Sequence, residues 1–482
     1  MIYGATTVLV RVFPFLLTFI LTRIFLPKEY SIFVEFYAFA GIINAVLTHG
    51  METGFFKFIS DSTQSKAAVF STSLFSITIF ILFFLFFGIL YKEELAKLVN
   101  TNNPYYETYI LWFLFTLSFD ALAAIPFAKL RIEENAKKFA FVKIISPLVY
   151  FLCSLVLVVG IPYAIKHKFV FIEYISLYYD AKIGIGYVFF SNLVASAIGL
   201  LLLLPDIIKI KFSFSFSLWK KMFWYAFPIM IAGIGAIINE TMDKIFLRYL
   251  LPQNIAEYQV GIYGACYKIS TFMILFKQAY LLGIEPFFFS HAKNENANKT
   301  YADLMYYFVV ANCVIMLGII VNIDIIKQIA LGEKYWIGLD IIPIVLVATL
   351  FLGIYMNLSI WYKLNNKTYY GAILTFIGVG ITIWINFSFI PIYGYWASAL
   401  ATFFAYFFMM LISYVLGQKY HPIPYPIKKI SVHLFLSIGL GITSFYLFDK
   451  NPIIGNLILL TYLATIFVLD KEMILTIINK KK

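Results

Sequence analysis

Residues 69–91 read VFSTSLFSITIFILFFLFFGILY, with no charged side chain anywhere between Val69 and Tyr91. A helix rises about 1.5 Å per residue, so about 20 mostly apolar residues cross the hydrocarbon core of a bilayer. This stretch meets that length. The same rule marks thirteen further spans at Gly4 to Phe25, Phe33 to Phe58, Tyr109 to Lys129, Phe139 to Gly160, Gly184 to Leu204, Met222 to Leu250, Val260 to Phe289, Leu304 to Val321, Ile341 to Trp361, Gly371 to Phe389, Tyr395 to Leu416, Ile430 to Phe448 and Ile453 to Leu469. An all-α integral membrane protein of about 14 helices is the expected fold class.

Composition agrees with a bilayer as solvent. Hydrophobic residues make up 62% of the 482 and charged residues only 13%, with a mean hydropathy of +0.87; soluble domains carry roughly a quarter charged residues. Many of the 35 Tyr and 7 Trp fall near the ends of apolar runs, where an amphipathic ring suits the headgroup layer. The first run is longer than the apolar core of a signal peptide, contains Arg11 and lacks a small-x-small cleavage site, so it reads as a retained helix.

The net charge of +12 comes from short segments between apolar runs and shows no basic stripe interleaved with stacking aromatics, which argues against nucleic acid and for anionic lipid. With the N-terminus inside, lysines and arginines favour the inner loops roughly two to one, among them Lys129, Arg131, Lys137, Lys138, Lys220, Lys221, Lys428, Lys429 and the tail Lys480 to Lys482. Both termini are therefore expected in the cytoplasm. The longest connection, Ile161 to Ile183, falls outside and reads as an interfacial segment.

Cys153, Cys266 and Cys313 lie in apolar runs without CxxC spacing, and the five histidines, His49, His167, His291, His421 and His433, form no HExxH or Cys/His cluster. Neither a disulfide nor a metal is indicated. No Gly-Lys dipeptide occurs, so the phosphate-binding GxxxxGK[ST] loop is missing and no nucleotide cofactor is expected. Pro14, Pro147, Pro228, Pro286 and Pro343 are candidate hinges.

Ionisable groups inside the spans carry the functional information, because each costs about 3 kcal/mol at a helix centre. Thr7, Arg11, Thr18 and Thr22 share a face of the first span. Asn44, Thr48 and Glu52 share one on the second, and Gly264, Lys268, Thr271, Gln278 and Glu285 one on the eighth. The seventh carries Asn239, Glu240, Asp243, Lys244 and Arg248, read structurally as Glu240 with Lys244 and Asp243 with Arg248. Arg11 and Lys268 have no acid three or four residues away and are candidates for a substrate anion, joined by Arg23 and Arg248 at helix ends. The carboxylates Glu52, Asp243, Glu240 and Asp120 are candidates for coupling to a proton or sodium ion. No catalytic residue is assigned.

There is also an internal echo. Arg23-Ile-Phe-Leu-Pro27 with Glu29-Tyr30 follows the first span and Arg248-Tyr-Leu-Leu-Pro252 with Glu257-Tyr258 the seventh, and both spans contain Phe-Pro, at Phe13-Pro14 and Phe227-Pro228. Two six-helix lobes, 1–204 and 205–417, followed by a C-terminal pair of helices and tail over 418–482, would account for it.

Several of these segments together resemble the bacterial polysaccharide-biosynthesis and O-antigen flippases of the multidrug/oligosaccharidyl-lipid/polysaccharide exporter superfamily. They are the opening Tyr3-Gly4 through Arg11, the Thr22 to Tyr30 turn, Gly50-Met-Glu52-Thr-Gly-Phe-Phe, Ile125-Pro-Phe-Ala-Lys-Leu-Arg131, Val260 to Lys268, Glu285-Pro-Phe-Phe-Phe289 and Tyr335-Trp336. The likeness runs from residue 1 to about 420; only Met1 and Ile2 precede Tyr3-Gly4, fewer than such flippases usually carry. It implies two pseudo-symmetric lobes about a central cavity, alternating access, a bacterial inner membrane and an undecaprenyl-diphosphate-linked oligosaccharide as substrate. A cation-coupled multidrug exporter of the same superfamily and a membrane-embedded polymerase or acyltransferase remain the alternatives. A drug site would be mostly acidic and aromatic, and an enzyme would carry a large outer loop or a clustered His/Asp/Arg site.

Overall fold

The computed structural model describes residue 6 and residues 9–60, 65–99, 104–169, 174, 176–291, 295–365 and 367–470; every regular element among them is helical. Tyr3-Gly4, Thr7 and the tail lysines 480–482 lie outside the described residues, as does the side chain of Glu285. Among the described residues, twelve helices are long and apolar enough to cross a membrane. They correspond to the second to seventh and the ninth to fourteenth spans of the sequence. The first span is described as the shorter helix α1 (Val12–Ile24), and the eighth is a helix broken in its interior.

The chain divides into two compact units, one of Met1–Leu17 with Glu29–Ile245 and the other of Thr18–Lys28 with Phe246–Lys482. In the first, α2 (Pro27–Thr48) stops at His49 and Gly50, both with positive φ, and α3 (Met51–Ile59) resumes the span. Gly50 adopts φ 70°, and a Cβ there would stand 2.7 Å from the Ala226 carbonyl oxygen, so the turn requires glycine twice over. His49 fastens it, with Nε2 2.8 Å from Ser76 Oγ and Nδ1 2.9 Å from the Leu47 carbonyl. The continuous face expected for Asn44, Thr48 and Glu52 is consequently interrupted between Thr48 and Glu52.

The helices α4 (Lys66–Leu90), α5 (Tyr106–Ile132), α6 (Ala136–Leu155), α7 (Gly186–Ile208) and α8 (Phe216–Leu250) complete this unit, with α8 contributing through Ile245. Its core is aromatic: Phe36 meets Phe113 edge-on at 5.1 Å and Phe189 at 4.7 Å. On α4, by contrast, Leu82, Phe83, Phe86 and Leu90 are exposed, a surface that water would not tolerate and lipid does.

In the second unit α9 (Gln253–Tyr267) passes through a 3-10 turn, Lys268–Ser270, into α10 (Thr271–His291). A 3-10 turn inside a span tightens the winding and changes which residues share a face. The eighth-span stripe therefore bends at Lys268. There follow α11 (Ala297–Val321), the short α12 (Ile323–Ala330), the 3-10 segment Glu333–Ile341, α13 (Ile342–Leu358), α14 (Tyr369–Tyr393), α15 (Tyr395–Tyr420), α16 (Ile427–Ile442) and α17 (Pro452–Leu469). The span containing α13 is mostly buried and forms the centre, whereas α17 is mostly exposed. The turn after α1 belongs here as well: a Cβ on Gly261 would lie 1.9 Å from the Pro27 carbonyl oxygen, and Tyr335 Oη donates to the Phe25 carbonyl at 2.9 Å.

Candidate functional site

Within the first unit Arg11 is exposed at the turn that opens α1, and the charge of Glu240, also exposed, acts on it. Asp243 is buried at 1% exposure and pairs with Lys244, whose Nζ lies 2.9 Å from Oδ1 and also donates to the Glu240 carbonyl at 2.9 Å. The expected Glu240–Lys244 pair is thus a bond to the Glu240 backbone. A lysine four residues on can curl back to that carbonyl, and the neighbouring Asp243 carboxylate takes its charge.

Glu52 on α3 forms an ion pair with Arg131 at the end of α5, and the Arg131 guanidinium also lies 4.8 Å from the centre of the Phe56 ring. Arg131 in turn acts electrostatically on Lys143 of α6, as do Glu52 and Asp120. Asp120 is accessible on α5, and Ser196 of α7 acts on its carboxylate. One turn away Asn192 donates to Tyr37 Oη at 2.6 Å, and Tyr37 Oη donates to Tyr150 Oη at 3.3 Å. Two of the four candidate coupling carboxylates, Glu52 and Asp120, therefore act on one lysine beside a set of polar groups drawn from five helices, α2, α3, α5, α6 and α7.

Sequence reasoning did not single out Lys143, Tyr37, Tyr150 or Asn192. Lys143 did leave a signal, being a lone cation four residues before Pro147 in an apolar span, and so did the Asn192 and Ser196 pair at helical spacing.

In the second unit the two repeated arginines have structural partners. Arg23 Nη2 donates to the carbonyls of Gln328 and Ile329 at 2.8 and 2.9 Å, capping the C-terminus of α12, where carbonyls lack helical partners and a cation meets the negative end of the dipole. Arg248, 8% exposed, lies 3.4 Å from Glu257 Oε1, and Lys28 lies 3.1 Å from Glu257 Oε2. The partner of Arg248 thus includes an acid on the next helix, nine residues on. Pro27 begins α2 and Pro252 is the N-cap of α9, so in both halves of the echo the proline opens the following helix.

Lys268 stands exposed at the 3-10 turn while residues on either side of it are buried. Lys277 on α10, 6% exposed, was not anticipated; its stem passes Gly353 of α13, where a Cβ would meet the Phe308 ring at 2.7 Å. His433, scattered from other histidines in sequence, is drawn into a buried group with Tyr306, Tyr462 and Asp470.

Comparison with known proteins places this arrangement. Among solved structures, the lipid II flippase MurJ in an inward closed conformation superposes with a TM-score of 0.75 at 17% identity, covering 98% of this chain and 100% of that one. An inward-facing multidrug resistance MATE family transporter of the MOP superfamily gives 0.66 at 11% identity, covering 88% and 95%. The Vibrio cholerae MATE transporter VcmN, in a mutant form, gives 0.58 at 12% identity, covering 87% and 93%. At these identities the likeness is one of fold, and the fold is that of the MurJ and MATE transporters. No curated protein matches the chain by sequence. A family profile described as polysaccharide biosynthesis protein matches residues 1–281, more than half of the chain, and the chain belongs to that family.

Proposed function

We propose that this protein is a flippase that carries an undecaprenyl-diphosphate-linked oligosaccharide, of O-antigen or capsule type, from the cytoplasmic to the outer leaflet of a bacterial inner membrane by alternating access. The observation that carries the reading is the placement of Arg11 and Lys268. In a chain of the polysaccharide biosynthesis family, both cations are accessible at breaks in apolar segments, the turn opening α1 and the 3-10 turn of the eighth span. A cation kept there at a cost of about 3 kcal/mol suits a diphosphate, which gains more from it in a low-dielectric setting than in water. Arg23 and Arg248 are given supporting parts, since one caps α12 and the other pairs with Glu257. Coupling to a proton or sodium ion is assigned to Asp120, Glu52, Glu240 and Asp243, of which Asp120 and Glu240 are exposed, Glu52 is half-exposed and Asp243 is buried.

The positive bias of the loops supports both termini in the cytoplasm. Replacement of the gene in its host, followed by analysis of lipid-linked glycans in spheroplasts, tests the function. Accumulation of a complete glycan on the inner leaflet is the expected result; a normal outer-leaflet glycan refutes it. The fold likeness to a multidrug transporter favours one competing reading, export of organic cations, and uptake of a cationic dye into inverted vesicles would support that reading instead.

A further inference from the structure

In the second unit the end of α1 and the end of α12 border a cavity of about 570 Å³. That volume is typical of sites for small ligands. Arg23 and Phe25 line it from one side, and Gln328, Glu333, Lys334 and Trp336 from the other.

The side chains are arranged for recognition. Arg23 is held in place by α12, and both of its bonds to carbonyls leave from Nη2, so the Nε and Nη1 donors remain for a ligand. No carboxylate pairs with it among the described residues. Trp336 carries Lys327 Nζ 4.5 Å from its ring centre, and its indole N–H is buried without an acceptor among the described residues. Glu333 and Lys334 are both exposed.

We propose that this cavity binds an acidic saccharide, and, resting on the function proposed above, that it receives the sugar portion of the substrate on the side where the first helix ends. A guanidinium held in place with Nε–H and Nη1–H donors uncommitted suits a carboxylate, to which it gives a charge-assisted hydrogen bond. Gln328 and Glu333 offer an amide and an acceptor to sugar hydroxyls, and Trp336 and Phe25 offer apolar faces to the C–H side of a sugar ring. Two cations against one acid select an anionic glycan over a neutral one. Free diphosphate would use only the cations and would meet Glu333 as a like charge, so it binds less well.

The test uses the purified full chain in lipid nanodiscs, titrated calorimetrically with a tetrasaccharide of alternating glucuronic acid and N-acetylglucosamine, with maltotetraose, and with inorganic diphosphate. The acidic tetrasaccharide should bind about tenfold or more tightly than either of the others, and Lys334→Gln and Trp336→Ala should each weaken it about tenfold. Lys334 is exposed, so its variant keeps the proposal testable if the tryptophan variant does not fold. Failure of the tetrasaccharide to bind, equal binding of maltotetraose, tighter binding of diphosphate, or unchanged affinity in Lys334→Gln overturns the inference. Flipping of a lipid-linked glycan by the same preparation in liposomes separates the two claims. Flipping without saccharide binding removes the cavity and keeps the flippase; saccharide binding without flipping does the reverse.

Discussion

Asp470, at the end of α17, is the residue through which the last two helices grip the second unit. Tyr306 Oη on α11 donates to its Oδ2 at 2.6 Å, His433 Nε2 on α16 lies 3.2 Å from the same oxygen, and Lys429 Nζ lies 3.7 Å from Oδ1. The side chains of Asp470 and His433 are each 1% exposed. Asp470→Ala takes the acceptor from two buried groups. A hydrogen bond to a charged group contributes about 1.5–3 kcal/mol, and a buried group left unpaired costs about as much. Two terms moderate the loss: Tyr306 and His433 still face each other at 3.0 Å, and Lys429 is 59% exposed, so its ion pair adds little. The net cost should be about 3 kcal/mol. Asp470→Asn, which keeps an acceptor for Tyr306, should cost about 1 kcal/mol. Unfolding of the purified protein in dodecyl maltoside by titration with sodium dodecyl sulfate, followed by near-ultraviolet circular dichroism, measures both. An alanine variant within about 0.5 kcal/mol of the parent, the range of an ordinary surface change, refutes the reasoning.

Gly261→Ala should destabilise by about 1–3 kcal/mol in the same titration, because a Cβ 1.9 Å from the Pro27 carbonyl oxygen forces backbone apart; a neutral result would mean that α9 and the start of α2 are not packed as described. Glu52→Gln should leave stability within about 1 kcal/mol, since the pair with Arg131 is half-exposed, yet lower gradient-driven transport in liposomes; transport as responsive to the gradient as in the parent counts against a coupling role. Arg11→Ala and Lys268→Ala should each weaken binding of a polyprenyl-diphosphate analogue about tenfold, with Arg11→Lys and Lys268→Arg retaining more, and unchanged affinity in both alanine variants rules out direct contact. Outside the spans, Tyr105 Oη donates to Asp180 at 2.5 Å and holds its carboxyl below the ordinary carboxylate range, together with the Lys182 backbone N–H. A depressed carboxylate contributes stability above its unfolded value and loses it as pH falls through the folded one. The Asp180 turn should thus become more exposed to hydrogen exchange only below the ordinary range, and Tyr105→Phe should move that onset to higher pH.

The spans were legible because hydrophobic length is a local property, read one window at a time. The breaks within them were not. Composition stays apolar through His49–Gly50 and through Lys268–Ser270, and what restricts the first break to glycine is the Ala226 carbonyl, 176 positions away in the chain. Partnership is equally remote. Arg131 meets Glu52 across 79 residues and Tyr306 meets Asp470 across 164, so a search for acids three or four positions from a cation finds neither. His433 escapes for the same reason: spacing along the chain shows only local clusters, and its two tyrosines and its aspartate come from α11 and α17, both remote from it in sequence.

The arginines show where such reading stops in physical terms. Arg23 and Arg248 look alike in sequence, each at the end of a span and three residues before Leu-Pro, and both could be assigned to an anionic substrate on that ground. In space one donates to the carbonyls that end α12 and the other faces a buried glutamate, so for both a share of the cost of a cation at the membrane is offset from within the protein. Arg248 is buried, whereas Arg23, Arg11 and Lys268 are exposed, the last two at points where the helix is interrupted, and there a ligand can approach the charge. Which cation serves the fold and which serves a substrate is therefore decided by what stands opposite it, a quantity that depends on tertiary packing and has no counterpart in the spacing of residues along the chain.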